Sequence, residues 1–81
     1  MRVTVKLFAA AKEQAGQDAL QVELPASATV GDLRTGLAVQ FPALASLASR
    51  LLFAVDHQYV TDGQRLAADA EIAGFPPVSG G

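Results

Sequence analysis

Hydrophobic and polar residues alternate from Arg2 to Phe8, with Val3, Val5 and Leu7 on one face and Thr4, Lys6 and Phe8 on the other. A period of two, rich in β-branched side chains, predicts a half-buried strand. The pattern then changes. Ala9 to Ala15 is alanine-rich around Lys12, Glu13 and Gln14, and Gly16 stands where a C-cap belongs, which predicts a short helix. Leu20, Val22 and Leu24 alternate with Gln21 and Glu23, giving a second strand that Pro25 ends.

Helical spacing returns with Val30, Leu33, Leu37 and Phe41. Thr29 is positioned to cap this helix, and Asp32 to answer it as the acidic half of a capping box. Pro42 stops propagation, so the main helix is predicted over 30–40, its apolar stripe facing a sheet. Ala43 to Ser49 fits a further short helical turn. Leu51 to Val55 reads as an apolar third strand, Asp56-His57-Gln58 as its turn and Tyr59-Val60 as a brief fourth strand. Thr61-Asp62-Gly63 is another turn, and Glu71 to Phe75 is the last strand.

Strand, short helix, strand, long helix and three strands describe an α+β roll. The expected architecture is a β-grasp (ubiquitin-like) fold, a mixed sheet of about five strands clasping one long helix. Its first and last strands lie parallel at the centre. Residues 1–75 form the domain and residues 76–81 a flexible, extended C-terminal tail.

With 81 residues, 51% of them hydrophobic, the chain holds enough apolar material for one small core. Net charge is −2, and Arg2, Lys6, Lys12, Arg34, Arg50 and Arg65 are scattered, a distribution that argues against nucleic-acid binding. No apolar run is long enough for a membrane span, and the alternating first residues do not resemble a signal peptide, so a cytoplasmic location is expected. Cysteine is absent, which removes thiol nucleophiles and thiolate metal ligands together. The one histidine, His57, lies in a turn, where a solvated role is expected, and one histidine does not build a metal site. Phosphate-binding glycine loops and nucleophile elbows are also missing. The chain is therefore not expected to catalyse a reaction alone, nor to bind a metal or cofactor.

The chemistry that remains lies in Phe75-Pro76-Pro77-Val78-Ser79-Gly80-Gly81. The two prolines favour an extended course, and the glycines present nothing bulkier than backbone. At ~3.3 Å per residue this segment could reach roughly 20 Å, enough to carry a C-terminal carboxylate into another protein's narrow active site. Frayed termini share this composition, so a plain interaction module with an irrelevant tail is the bland alternative. Phe8, on the strand face opposite Val3, Val5 and Leu7, is a candidate exposed anchor for a partner, with Tyr59 and Phe75 beside it. The competing role for Phe8 is merely to cover the helix that follows it.

Leu7-Phe8-Ala9 with Lys12-Glu13 and Gly16, Thr29-Val30-Gly31-Asp32-Leu33, Leu52 to Val60, and Glu71-Ile72-Ala73 followed by the tail together resemble the molybdopterin synthase small subunit family of ubiquitin-like sulfur carriers. The resemblance covers nearly the whole chain, and Phe-Pro-Pro-Val-x-Gly-Gly is its most specific part. It favours this family over the thiazole-pathway carrier, which typically lacks the double proline.

The resemblance implies that Gly81 is adenylated by an E1-like enzyme using ATP-Mg, converted to a thiocarboxylate by a persulfide sulfur donor, and used by the large synthase subunit in a 2+2 heterotetramer. There it would give sulfur to cyclic pyranopterin monophosphate, forming the molybdopterin dithiolene of the molybdenum cofactor. Gly80 and Gly81 would be the reacting end, and Phe8, Tyr59, Phe75, Pro76, Pro77, Val78 and Ser79 the partner contacts. A ubiquitin-like protein modifier, or a sulfur carrier for thiazole, tRNA thiolation or cysteine, shares the activation step.

Two departures stand out. Asp56 replaces a common asparagine, and Gly74 replaces a common aromatic. Phe53 is expected to refill some of the space left at Gly74.

Overall fold

The computed structural model describes residues 1–77. The elements are β1 (Arg2–Leu7), α1 (Ala9–Ala15), β2 (Ala19–Glu23), α2 (Val30–Gln40), a 3-10 turn at Pro42–Leu44, α3 (Ala45–Ala48), β3 (Leu52–Val55), β4 (Gln58–Val60) and β5 (Glu71–Phe75). The five strands form one sheet in the order β2-β1-β5-β3-β4. The central β1 and β5 run parallel, with Val5 opposite Ile72 and Leu7 opposite Gly74, while every other pair is antiparallel.

The main helix begins as its sequence requires. The Asp32 backbone N–H donates to Thr29 Oγ1 at 3.3 Å, and the Thr29 N–H donates to Asp32 Oδ2 at 2.9 Å, so the capping box is complete at both ends. Val30, Leu33 and Leu37 turn inward from this helix and are fully buried. They meet Val3, Val5 and Leu7 from β1, Leu20 and Val22 from β2, Phe53 from β3 and Ile72 from β5 in one hydrophobic cluster. Each such side chain contributes roughly 1.5–3 kcal/mol by leaving water. Among the described residues no polar or charged side chain is buried.

Several strand ends differ from the sequence pattern by one residue: the first strand stops at Leu7 rather than Phe8, which becomes the N-cap of α1, and the fourth starts at Gln58 rather than Tyr59. The second strand is Ala19–Glu23 rather than 20–24, although pairing runs on, since the Leu24 N–H donates to the Met1 carbonyl at 2.8 Å. The third strand starts at Leu52 rather than Leu51, and Arg34 takes the Leu51 carbonyl. Its Nη1 donates to the carbonyls of Ala48 and Leu51 at 2.8 Å each, while Nη2 reaches Asp62 Oδ1 at 2.7 Å. The same guanidinium lies 5.0 Å from the centre of the Phe53 ring. One half-buried arginine thus joins α2, the end of α3, the residue before β3 and the loop after β4.

Phe53 does occupy the space beside Gly74. A methyl group placed at Gly74 would lie 3.4 Å from Leu7 Cδ2 and Val5 Cγ1 and 3.5 Å from Phe53 Cε1. The ring and two aliphatic chains therefore close around the glycine to ordinary contact distance, leaving no room for an aromatic there. The β3–β4 hairpin turns on two residues, Asp56 and His57, with φ of 50° and 66°. Positive φ at both central positions is the requirement of a type I′ turn, which Asn-Gly meets with least strain.

Candidate functional site: the outer face of the sheet

Alternation along the strands turns one set of residues inward to α2 and leaves the other set on an uncovered face. Thr4 and Lys6 from β1, Glu71, Ala73 and Phe75 from β5, Leu52 and Ala54 from β3, and Tyr59 from β4 share that outer face. Register fixes the neighbours. Lys6 lies opposite Ala73, Ala73 opposite Ala54, and Ala54 opposite Tyr59, while Leu52 lies opposite Phe75.

Phe8, Phe75 and Tyr59 are brought together, as the sequence predicts. The rings of Phe8 and Phe75 stack with centroids 4.8 Å apart and planes 11° apart. Tyr59 meets Phe75 edge-on, 6.2 Å away at 65°. Both geometries satisfy the ring quadrupoles. Even so, Phe8 remains 42% exposed and Tyr59 70% exposed, so the cluster is a surface feature rather than an extension of the core. Phe8 spends its ring on Phe75 across the sheet, which decides against a role confined to covering α1. The turn that frees it is sharp, since Ala9, next in the chain, has φ of 52°.

Sequence reasoning missed Leu52, which is 40% exposed and extends the apolar surface beside Phe75. The signal was available, because with Phe53 in the core its neighbours in the strand must face outward. It also missed a depression of about 490 Å³ next to the aromatic cluster. Ala54 and Ala73 line it together with the three aromatic rings, Lys6, Glu71, Asp56 and His57. Small side chains between larger neighbours make the hollow. Lys6 and Glu71 form an ion pair at 3.3 Å, exposed on both sides and so worth little to stability.

Pro76 and Pro77 follow Phe75 directly and are half-buried. Val78, Ser79, Gly80 and Gly81 lie outside the described residues. No group of three potential metal-ligating side chains gathers among the described residues, and no helix is long and apolar enough to cross a membrane.

A parallel central strand pair, antiparallel flanks and one long helix clasped on the inner face define a ubiquitin-like β-grasp protein. The chain belongs to the ThiS family, whose model matches residues 5–81. It is 32% identical over 81 residues to the molybdopterin synthase sulfur carrier subunit of Arabidopsis thaliana, an alignment covering 100% of this chain and 84% of that one. It is 37% identical over 84 residues to small archaeal modifier protein 1 of Haloferax volcanii, covering 94% of this chain and 97% of that one. The crystal structure of SAMP1 from Haloferax volcanii superposes with a TM-score of 0.84 at 32% identity, covering 100% of both chains.

Proposed function

We propose that this chain is the sulfur carrier subunit of a molybdopterin synthase, and that the Gly81 carboxylate is the group that carries the sulfur. A single observation carries the reading: the strand leading to the Gly-Gly segment ends in Phe75, itself the centre of the exposed aromatic cluster. A partner that docks on Phe8, Tyr59 and Phe75 therefore receives the residues that follow, Pro76 to Gly81, at its own surface. Membership of the ThiS family and the likeness to the Arabidopsis carrier support the choice of chemistry.

A carboxylate is a poor electrophile. An E1-like enzyme would join it to AMP from ATP, releasing pyrophosphate and creating a good leaving group. A persulfide sulfur displaces AMP to give an acyl disulfide, and a second thiol cleaves that disulfide to leave the thiocarboxylate. The chain contains no cysteine, so both sulfur groups come from the donor side.

Bound to the large synthase subunit in a 2+2 assembly in the cytoplasm, the thiocarboxylate is the nucleophile toward cyclic pyranopterin monophosphate. Two such transfers complete the dithiolene. The domain contributes position, as a tethered reagent held where it reacts. Glycine at 80 and 81 keeps any Cβ away from the reacting carbon and the narrow channel that admits it.

Incubating the chain with the activating enzyme, ATP and a sulfur donor should raise its mass by the difference between sulfur and oxygen. Gly81→Ala, or removal of Gly81, should abolish that gain with the unfolding midpoint unchanged. A loaded Gly81-deleted chain would overturn the assignment. The likeness to the Haloferax modifier favours a second reading, in which Gly81 is joined to lysines of other proteins. Gly81 recovered in isopeptide linkage from cells, in place of the thiocarboxylate, decides for it.

A further inference from the structure

The depression beside the aromatic cluster has a composition of its own. Ala54 and Ala73 are its small apolar lining residues, and Asp56, Glu71, Lys6 and His57 supply charged and polar groups beside the rings. Among the lining carboxylates and amines, one positive charge, Lys6, faces two negative ones, Asp56 and Glu71. Lys6 is engaged by Glu71 at 3.3 Å, whereas Asp56 enters no ion pair among the described residues.

We propose that this depression receives an arginine side chain from the partner that docks on the aromatic cluster. The inference rests on the docking reading above and names the group that completes it. The arginine stem would cover Ala54 and Ala73, its guanidinium would lie against the exposed Tyr59 ring, and its N–H groups would donate to the Asp56 and Glu71 carboxylates. A planar guanidinium meets all three demands, stacking, charge and forked donation, where a lysine ammonium meets only the charge. The excess negative charge of the rim disfavours an acidic side chain at the same spot.

The test is a calorimetric titration of the full chain with the large synthase subunit of the same organism, at low and high salt. Asp56→Asn keeps the fold, since asparagine suits the first position of this turn. It should weaken binding about tenfold at low salt, as expected for loss of one charge-assisted hydrogen bond. Asp56→Asn with Glu71→Gln should weaken it further and flatten the salt dependence. With the large subunit labelled with 15N-arginine, an Nε–H signal should shift on binding the native chain and stay in place with the double variant.

Phe75→Ala separates the two ideas. If it weakens binding while Asp56→Asn with Glu71→Gln does not, docking stands and the arginine is overturned. If the carboxylate variants weaken binding but no arginine signal depends on them, the arginine is overturned as well. If none of the three substitutions matters, the docking reading falls and this inference with it.

Discussion

The two faces of the central sheet are built from the same strands yet obey different rules. On the inner face, Val3, Val5, Phe53 and Ile72 are essentially inaccessible to water, and the space beside Gly74 is closed to contact distance. On the outer face, Phe8, Leu52 and Tyr59 stay exposed, and alanines at 54 and 73 leave a hollow unfilled. Both faces are rich in apolar side chains, so hydrophobicity does not separate them. Closure does. A face that is packed to contact distance stores the stability of the fold, and a face left open keeps its apolar area for another molecule. β5 shows the contrast within two residues, since Gly74 is sealed inside while Phe75 anchors the outer cluster.

The largest stability effect should come from breaking the inner face. Phe53→Ala removes a ring that touches the Gly74 position and carries Arg34 on its surface. A loss of about 3–5 kcal/mol is expected in chemical denaturation, and a loss below about 1 kcal/mol would show that Phe53 does not fill the space at Gly74. Phe75→Ala, on the outer face, should cost less, about 1–3 kcal/mol from its two ring contacts. A large destabilisation by Phe75→Ala would erase the distinction between the faces.

Much of this contrast was legible in the sequence, because period-two alternation by itself sorts strand residues into two faces. Val3, Val5 and Leu7 against Phe8, and the helical stripe of Val30, Leu33 and Leu37, needed nothing further. The meeting of Phe8 with Phe75 needed one more step, the parallel pairing of the first and last strands, and that of Tyr59 with Phe75 needed the register of β3 between β4 and β5. What stayed hidden depends on register between strands distant in sequence. Ala54 and Ala73 are unremarkable alone and line a hollow only when paired. Arg34 reads as a solvated helix residue, and nothing local signals that it will take the carbonyls of Ala48 and Leu51.

The edges of the sheet sharpen the comparison at intermediate size. β2 is an edge strand, and Gln40 from the end of α2 reaches across to it. The Glu23 N–H donates to Gln40 Oε1 at 3.1 Å, and Gln40 Nε2 donates to the Glu23 carbonyl at 2.8 Å. The carboxamide thereby stands where the peptide group of another strand would pair, closing part of an edge that would otherwise invite association. Gln40→Ala should cost about 1–2 kcal/mol for the two lost bonds. It should also shift the chain toward larger species in light scattering at high concentration. A variant that loses the stability but stays monomeric would assign Gln40 a purely local role.

The smallest effect tests whether the rim of the outer face holds strain at all. His57 occupies the second central position of the β3–β4 turn with φ of 66°, where glycine is favoured. His57→Gly relieves the left-handed side chain but adds freedom to the unfolded chain, and the two effects oppose each other. The relief is about 1–2 kcal/mol and the entropic cost about 0.4–1 kcal/mol, so a net gain between zero and about 1.6 kcal/mol is expected. Affinity for the partner should change little, because the Asp56 and Glu71 carboxylates remain. A lower unfolding midpoint for His57→Gly would mean that the histidine side chain is held by favourable contacts in the free protein. The turn would then belong with the closed, stability-storing part of the molecule rather than with the open face.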